Sequence, residues 1–160
     1  SVVVNEIALS NSLGEMDFYE SDALNLSSLE GSVEGRWRQR SYPVSVLTID
    51  RYFQTQTRPP SMLKIDVENH EPEVLRGARE LIRSTTPLIL FEGLEGSLVR
   101  ESIDAISGSA PGDYSFARVT SSGSLVAIDS ADGINNFLAI PKRYEDRVEE
   151  LRLMRGRGER

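Results

Sequence analysis

The sequence has no cysteine, and that absence removes disulfides, thiolate metal sites and cysteine nucleophiles together. A chain without cysteine is compatible with a reducing cytoplasm, where this one is expected to work. No apolar run approaches the length needed to span a bilayer, and no basic segment leads an apolar one at the amino terminus. The sequence is therefore read with neither membrane span nor signal peptide. Positive charge is also in deficit: the net charge is −7, so a general nucleic-acid or anionic-membrane role has no electrostatic support. The basic residues gather at the end, with seven basic and five acidic residues in Lys142 to Arg160. That tail reads as a solvated helix face and not as a nucleic-acid arm. Glycine-rich phosphate or cofactor loops are missing too. Gly-x-Gly occurs only at Gly156-Arg157-Gly158, which follows a helix and precedes none.

What is present is ordinary for a globular domain: 160 residues, 39% hydrophobic and 27% charged, enough for one domain with a real core. Ser1 to Leu9 reads as a strand, Asn11 to Gly14 as a turn, and Met16 to Tyr19 as a second strand. Glu20 to Tyr42 is poor in apolar anchors and reads as a long loop that helps select a ligand, with Trp37 pinning it to the body. Val44 to Ile49 is the next strand, and Asp50 is placed to cap a short helix through Phe53. Pro87 to Phe91 is of buried-strand type, and Ser97 to Ile106 carries Val99, Ile103 and Ile106 on one helical side. Tyr114 to Val119 and Leu125 to Ile128 read as an antiparallel hairpin, and Asn136 to Ile140 as the last strand. Tyr144 to Met154 forms an amphipathic helix, and the end beyond it frays.

The most informative stretch is Met62 to Ala78. It reads as a strand, a tight turn and a helix that continues to Ser84. Strand side chains alternate, so Lys64, Asp66 and Glu68 share one face and Ile65 and Val67 the other. Charges on one face of an α/β strand are either paired or placed for chemistry, because a buried unpaired charge is expensive. Pro72 suits a first helical turn, and Val74, Leu75, Ala78, Leu81 and Ile82 make one apolar stripe. Charged groups at a strand's carboxyl end, facing a helix amino end, sit where open α/β folds bind ligands.

Taken in order, Val46-Leu47-Thr48-Ile49-Asp50, Leu63-Lys64-Ile65-Asp66-Val67-Glu68-Asn69-His70-Glu71, Val74-Leu75-Arg76-Gly77-Ala78, Pro87-Leu88-Ile89-Leu90-Phe91-Glu92 and Asn136-Phe137-Leu138-Ala139-Ile140-Pro141 resemble the FkbM family of S-adenosylmethionine-dependent methyltransferases. Asn5 to Asn11 with Gly14 resembles the family's strand and turn just upstream. The resemblance implies an α/β, Rossmann-like class I methyltransferase sheet, mostly parallel with an antiparallel C-terminal hairpin, over residues 1–142. Residues 143–160 would then be the C-terminal helix and tail. It also implies transfer of a methyl group from S-adenosylmethionine to a hydroxyl of a sugar or secondary metabolite. Two departures stand out. Asn69 replaces a family glycine, which points to a left-handed backbone at that position. The family's first strand, glycine-rich loop and ribose-binding acidic residue are not in the chain. The chain is thus expected to be part of a longer protein and inactive by itself. Its unpaired strand edges are expected to invite self-association. The competing expectation is a truncated domain that serves as a non-catalytic binding or interaction module.

The resemblance places Asp66 at the cleft, in contact with cofactor or acceptor; the alternative is that it only pairs with Lys64. Glu68 and Glu71 are candidates to orient an acceptor hydroxyl or take its proton, although Glu71 equally suits a helix cap. His70, the sole histidine, is a candidate base or simply a solvated turn residue. Glu92 lines the same cleft on the acceptor side, and Ala8 and Leu9 would flank the adenine or belong to the core. A histidine among carboxylates suits magnesium or manganese better than zinc, but neighbouring turn positions do not converge by themselves, and no metal is assigned.

Overall fold

In the computed structural model, which describes residues 2–21, 27–30, 39–93, 96–128 and 135–148, the strands form two sheets. The first contains β1 (Ala8–Leu9), β2 (Gly14–Ser21) and β3 (Gln39–Leu47) in the order β1-β3-β2. The second contains β4 (Met62–Ile65), β5 (Leu88–Gly93), β6 (Tyr114–Val119), β7 (Leu125–Val126) and β8 (Asn135–Pro141), in the order β4-β5-β8-β6-β7. Four α-helices lie between them in sequence: α1 (Ile49–Phe53), α2 (Glu71–Arg76), α3 (Arg79–Thr85) and α4 (Gly96–Ser109).

The α/β class and the terminal hairpin β6–β7 are as expected, but the sheets are mixed and not mostly parallel. Among the described residues only β1–β3 and β4–β5 pair in parallel. The last strand, β8, slots between β5 and β6 and runs antiparallel to both. The parallel pair β4–β5 needs a crossover, and α2 with α3 supplies it.

Three local expectations change. The strand expected over Ser1 to Leu9 is confined to Ala8–Leu9, because only those two residues find register partners, Val46 and Leu47. The loop expected over Glu20 to Tyr42 is shorter: β2 and β3 pair from Gly14↔Val46 to Ser21↔Gln39 and take both its ends. Phe18 and Tyr42 face each other across that ladder, with ring centroids 5.8 Å apart. The residues between the two strands are described only at 27–30, so Trp37 lies outside the described residues, as does the C-terminal helix past residue 148. Finally, Asp50 does not cap α1. Thr48 does, its hydroxyl accepting from Arg51 N at 3.0 Å. Asp50 reaches instead to the start of α3, where its carboxylate accepts from Glu80 N and Leu81 N at 2.9 and 2.8 Å. The residue before α3 is Ala78, which has no side chain able to cap, so Asp50 provides the acceptor from a distance.

The apolar stripe of Val74, Leu75, Ala78, Leu81 and Ile82 is buried throughout, but it spans two short helices that break at Gly77 and Ala78. These helices and α4 pack against the sheet, where Phe91 of β5 stacks on Phe137 of β8 at 5.5 Å between centroids. No helix among the described residues is long and apolar enough to cross a membrane.

The break in the stripe has a steric reason. A Cβ on Gly77 would overlap the Ser10 carbonyl oxygen and crowd Asn11, so glycine lets the end of α2 close onto the chain just after β1. The Gly77 carbonyl also accepts from Asp50 N at 2.9 Å. Gly77 has ordinary helical angles, φ −74° and ψ −5°, so its role is space and not backbone freedom. Gly77→Ala is accordingly expected to lower unfolding free energy by about 1–3 kcal/mol in urea titrations, as overpacking does.

Candidate functional site

β4 ends at Ile65, and the chain then turns through two successive left-handed residues, Glu68 at φ 52° and Asn69 at φ 76°. The asparagine stands in the conformation expected from the family's glycine; the second left-handed residue was not foreseen. For side chains other than glycine this conformation costs roughly 1–2 kcal/mol per residue, so the surroundings must hold it. Three contacts do. The Glu71 carboxylate accepts from Val67 N at 3.0 Å and closes the turn on itself. The Ser28 hydroxyl donates to the Glu68 carbonyl at 2.8 Å, and accepts from Glu30 N at 3.1 Å. His70 is held on both ring nitrogens, by Glu30 at Nδ1 and by the Ser10 hydroxyl at Nε2, 2.9 Å away.

His70 is thus buried, at 3% exposure, and not a solvated turn residue. It joins the segment after β1, the segment 27–30 and the turn itself. Ser10, also buried, and Glu30 were missed by sequence reasoning. They lie 60 and 40 residues from His70, so no local spacing announces them. Glu71, buried as well, acts on its own turn through Val67 N, ahead of α2, whose N-cap residue His70 makes no side-chain capping hydrogen bond.

The carboxylates sort into a different group. Asp66, Glu68 and Glu92 each offer an oxygen within 4.8 Å of the others. The Lys64 ammonium pairs with Asp66, the alternative weighed against a functional role for that carboxylate. The hydrogen bond from Lys64 keeps the Asp66 carboxyl below the ordinary carboxylate value. Glu92 shifts the other way: partial burial raises it, and its hydrogen bond to Asp66 and the negative charges nearby add to the rise. Burial raises Glu68 too, helped by the charges of Asp66 and Glu71. Two adjoining carboxyls displaced in opposite directions titrate as a coupled pair, in which Asp66 loses its proton before Glu92. Asp66, Glu68 and Glu92 are a group that could hold a metal ion, with Lys64 already paired to Asp66.

Asp66 also belongs to a cavity of about 860 Å³. Ala8 and Leu9 line it from β1, Phe18 and Tyr42 from the β2–β3 ladder, and Val67 and His70 from the turn. Of the seven candidates, then, Ala8, Leu9, Asp66 and His70 share the cavity, Glu68 and Glu92 join it through Asp66, and Glu71 stays inside the turn.

The family described as the methyltransferase FkbM domain matches residues 3–110, more than half of the chain, and the chain belongs to that family. The match takes in every strand and helix from β1 to α4 and stops before β6. No curated protein and no solved structure matches the chain.

Burial raises the Glu71 carboxyl, outweighing the backbone donors that stabilise its charge. The folded chain therefore holds that proton more tightly than the unfolded chain. The corresponding stability is complete below about pH 4 and is lost as pH rises through the raised value. Glu71→Gln keeps an acceptor for Val67 N and removes the titration. It is expected to raise the urea midpoint relative to the unsubstituted chain at pH 7 and to leave it unchanged at pH 3.

Proposed function

We propose that the domain is the acceptor-side part of an S-adenosylmethionine-dependent O-methyltransferase acting on a hydroxyl of a sugar or secondary metabolite, within a Rossmann-like class I fold and in the cytoplasm. The observation that supports it is Asp66, which belongs at once to the cavity and to the carboxylate group. The cavity lies within the usual 300–1,000 Å³ of small-molecule sites, with apolar wall at Ala8, Leu9 and Val44 and polar groups that include Ser28, Asp66 and His70. Such a space suits a nucleoside, with Ala8 and Leu9 on its apolar face and Asp66 toward its polar end.

S-adenosylmethionine supplies, when bound, a sulfonium-activated methyl group. The protein's share is to hold the acceptor oxygen in line with that carbon and to receive the proton released as the new bond forms. Asp66, ionised and fixed by Lys64, is the acceptor for the substrate hydroxyl's hydrogen bond. Glu68 orients the acceptor beside it. Glu92, raised where Asp66 is lowered, is the member of the pair suited to take the proton and pass it outward to solvent. His70 holds the cavity wall and, with both nitrogens engaged, serves as an anchor.

The second reading is a non-catalytic binding or interaction module. Two measurements separate the readings. Calorimetry with S-adenosylmethionine reports cofactor binding by this chain, and methyl-labelled cofactor reports transfer by the complete protein. In the complete protein Asp66→Ala is expected to reduce turnover about 10²-fold or more, the usual scale for a group that positions a reacting hydroxyl. Full cofactor binding with unchanged turnover in that variant would remove Asp66 from the site, and no transfer to any hydroxyl by the unsubstituted protein would favour the module.

A further inference from the structure

Asp66 and His70 share their cavity with Ser28 and Leu29 of segment 27–30 and with Phe18 and Tyr42 of the β2–β3 ladder. These walls are tied to one another. Tyr19 and Ser28 exchange backbone hydrogen bonds at 2.9 and 3.1 Å. From the same segment, Ser28 reaches the Glu68 carbonyl and Glu30 reaches His70. The ladder, the segment and the turn thus hold one corner of the cavity together through contacts among residues 19–70.

The aromatic pair stands away from Ala8. Ala8 pairs with Val46 and Phe18 with Tyr42, and four residues of β3 separate those two partners. At ~3.3 Å per residue the pair lies about 13 Å along β3 from the level of Ala8. A base held at Ala8 and Leu9 therefore leaves both rings to a second molecule. Tyr42 is 44% exposed, and its ring is inclined at 54° to that of Phe18, so one flat ring cannot lie parallel on both. The face of an aromatic ring is electrostatically negative and suits the weakly positive C–H face of a saturated ring. A carboxylate such as Asp66 only accepts hydrogen bonds, and calls for hydroxyl donors on the same ligand.

We propose, on the basis of the O-methyl transfer proposed above, that Tyr42, with Phe18 beside it, selects the acceptor: a saturated, polyhydroxylated ring of the pyranoside type rests its C–H face on Tyr42 and turns a hydroxyl toward Asp66. A planar phenol fits this corner less well, since it stacks on one of the two inclined rings and offers Asp66 a single donor. Tyr42 is a specificity residue in this arrangement, and it takes no part in moving the proton.

The complete protein, supplied with methyl-labelled cofactor and with methyl pyranosides or substituted phenols, tests the selection. Label is expected in the pyranosides and not in the phenols. Tyr42→Leu keeps apolar bulk on the ladder and removes the aromatic face. It is expected to raise the KM for the pyranoside about 5- to 10-fold with kcat within about twofold, whereas Tyr42→Phe, which keeps the ring, holds the KM within about twofold. Saturation-transfer NMR on this chain needs no turnover: irradiation of the aromatic protons is expected to reach the ring C–H protons of a methyl pyranoside, and to weaken in Tyr42→Leu. Label in phenols in place of pyranosides, or a Tyr42→Leu variant with unchanged KM and unchanged saturation transfer, would overturn the proposal and leave O-methyl transfer standing. Transfer to neither class would overturn the O-methyl transfer reading and the proposal with it.

Discussion

The left-handed pair Glu68 and Asn69 is the constraint on which the rest of the site depends. It reverses the chain between the parallel strand β4 and helix α2 within a few residues, and so sets where Asp66 and Glu68 stand and where α2 begins. A turn of this kind is unfavourable by itself for residues other than glycine. It persists because partners from far along the chain close on it: the Ser28 hydroxyl on the Glu68 carbonyl, Ser10 and Glu30 on His70, and Glu71 on Val67 N. The single histidine is the centre of that closure, and its burial follows from having a partner at each ring nitrogen.

The close approach of Gly77 to Ser10 belongs to the same arrangement. His70 at the start of α2 and Gly77 at its end both touch Ser10, so one short helix is gripped at its two ends by the segment that follows β1. Asp50 extends the grip to α3. Ala8 and Leu9, two residues upstream of that contact, are thereby fixed opposite the turn, and the cavity between them is a product of the helix docking. The displacement of Asp66 and Glu92 in opposite directions follows one step later, since it requires the two strand ends β4 and β5 to hold their carboxyls together.

Much of this was legible in the sequence where the signal is local. The strand at Leu88 and the helix at Ser97 are carried by apolar runs and by 3.6-residue periodicity. Asn69 was legible because only one backbone conformation explains asparagine in place of glycine. The family, too, was legible from the order of motifs around Asp66. What was hidden is whatever depends on distant pairing. The β2–β3 ladder looked like a loop because serine, arginine and glutamate dominate its outer half, and only cross-strand register keeps them extended. Asp50 looked like a cap for its own helix because the alternative lies 30 residues downstream. The anchoring of His70 could not be seen at all, since neither Ser10 nor Glu30 stands at any spacing that carries a motif. The mixed sheet was missed for the same reason: the pairing of β8 between β5 and β6 is written in no single segment.

The central claim is that the turn brings Asp66 and Glu92 close enough to titrate as a coupled pair, with Asp66 the first to ionise. Carbon-13 NMR of the side-chain carboxyls, followed through an acid titration, tests it directly. Asp66 is expected to titrate below the ordinary carboxylate value and Glu92 above it, with each resonance sensing the other's transition. Two independent transitions at the ordinary value, or the opposite order, would contradict it.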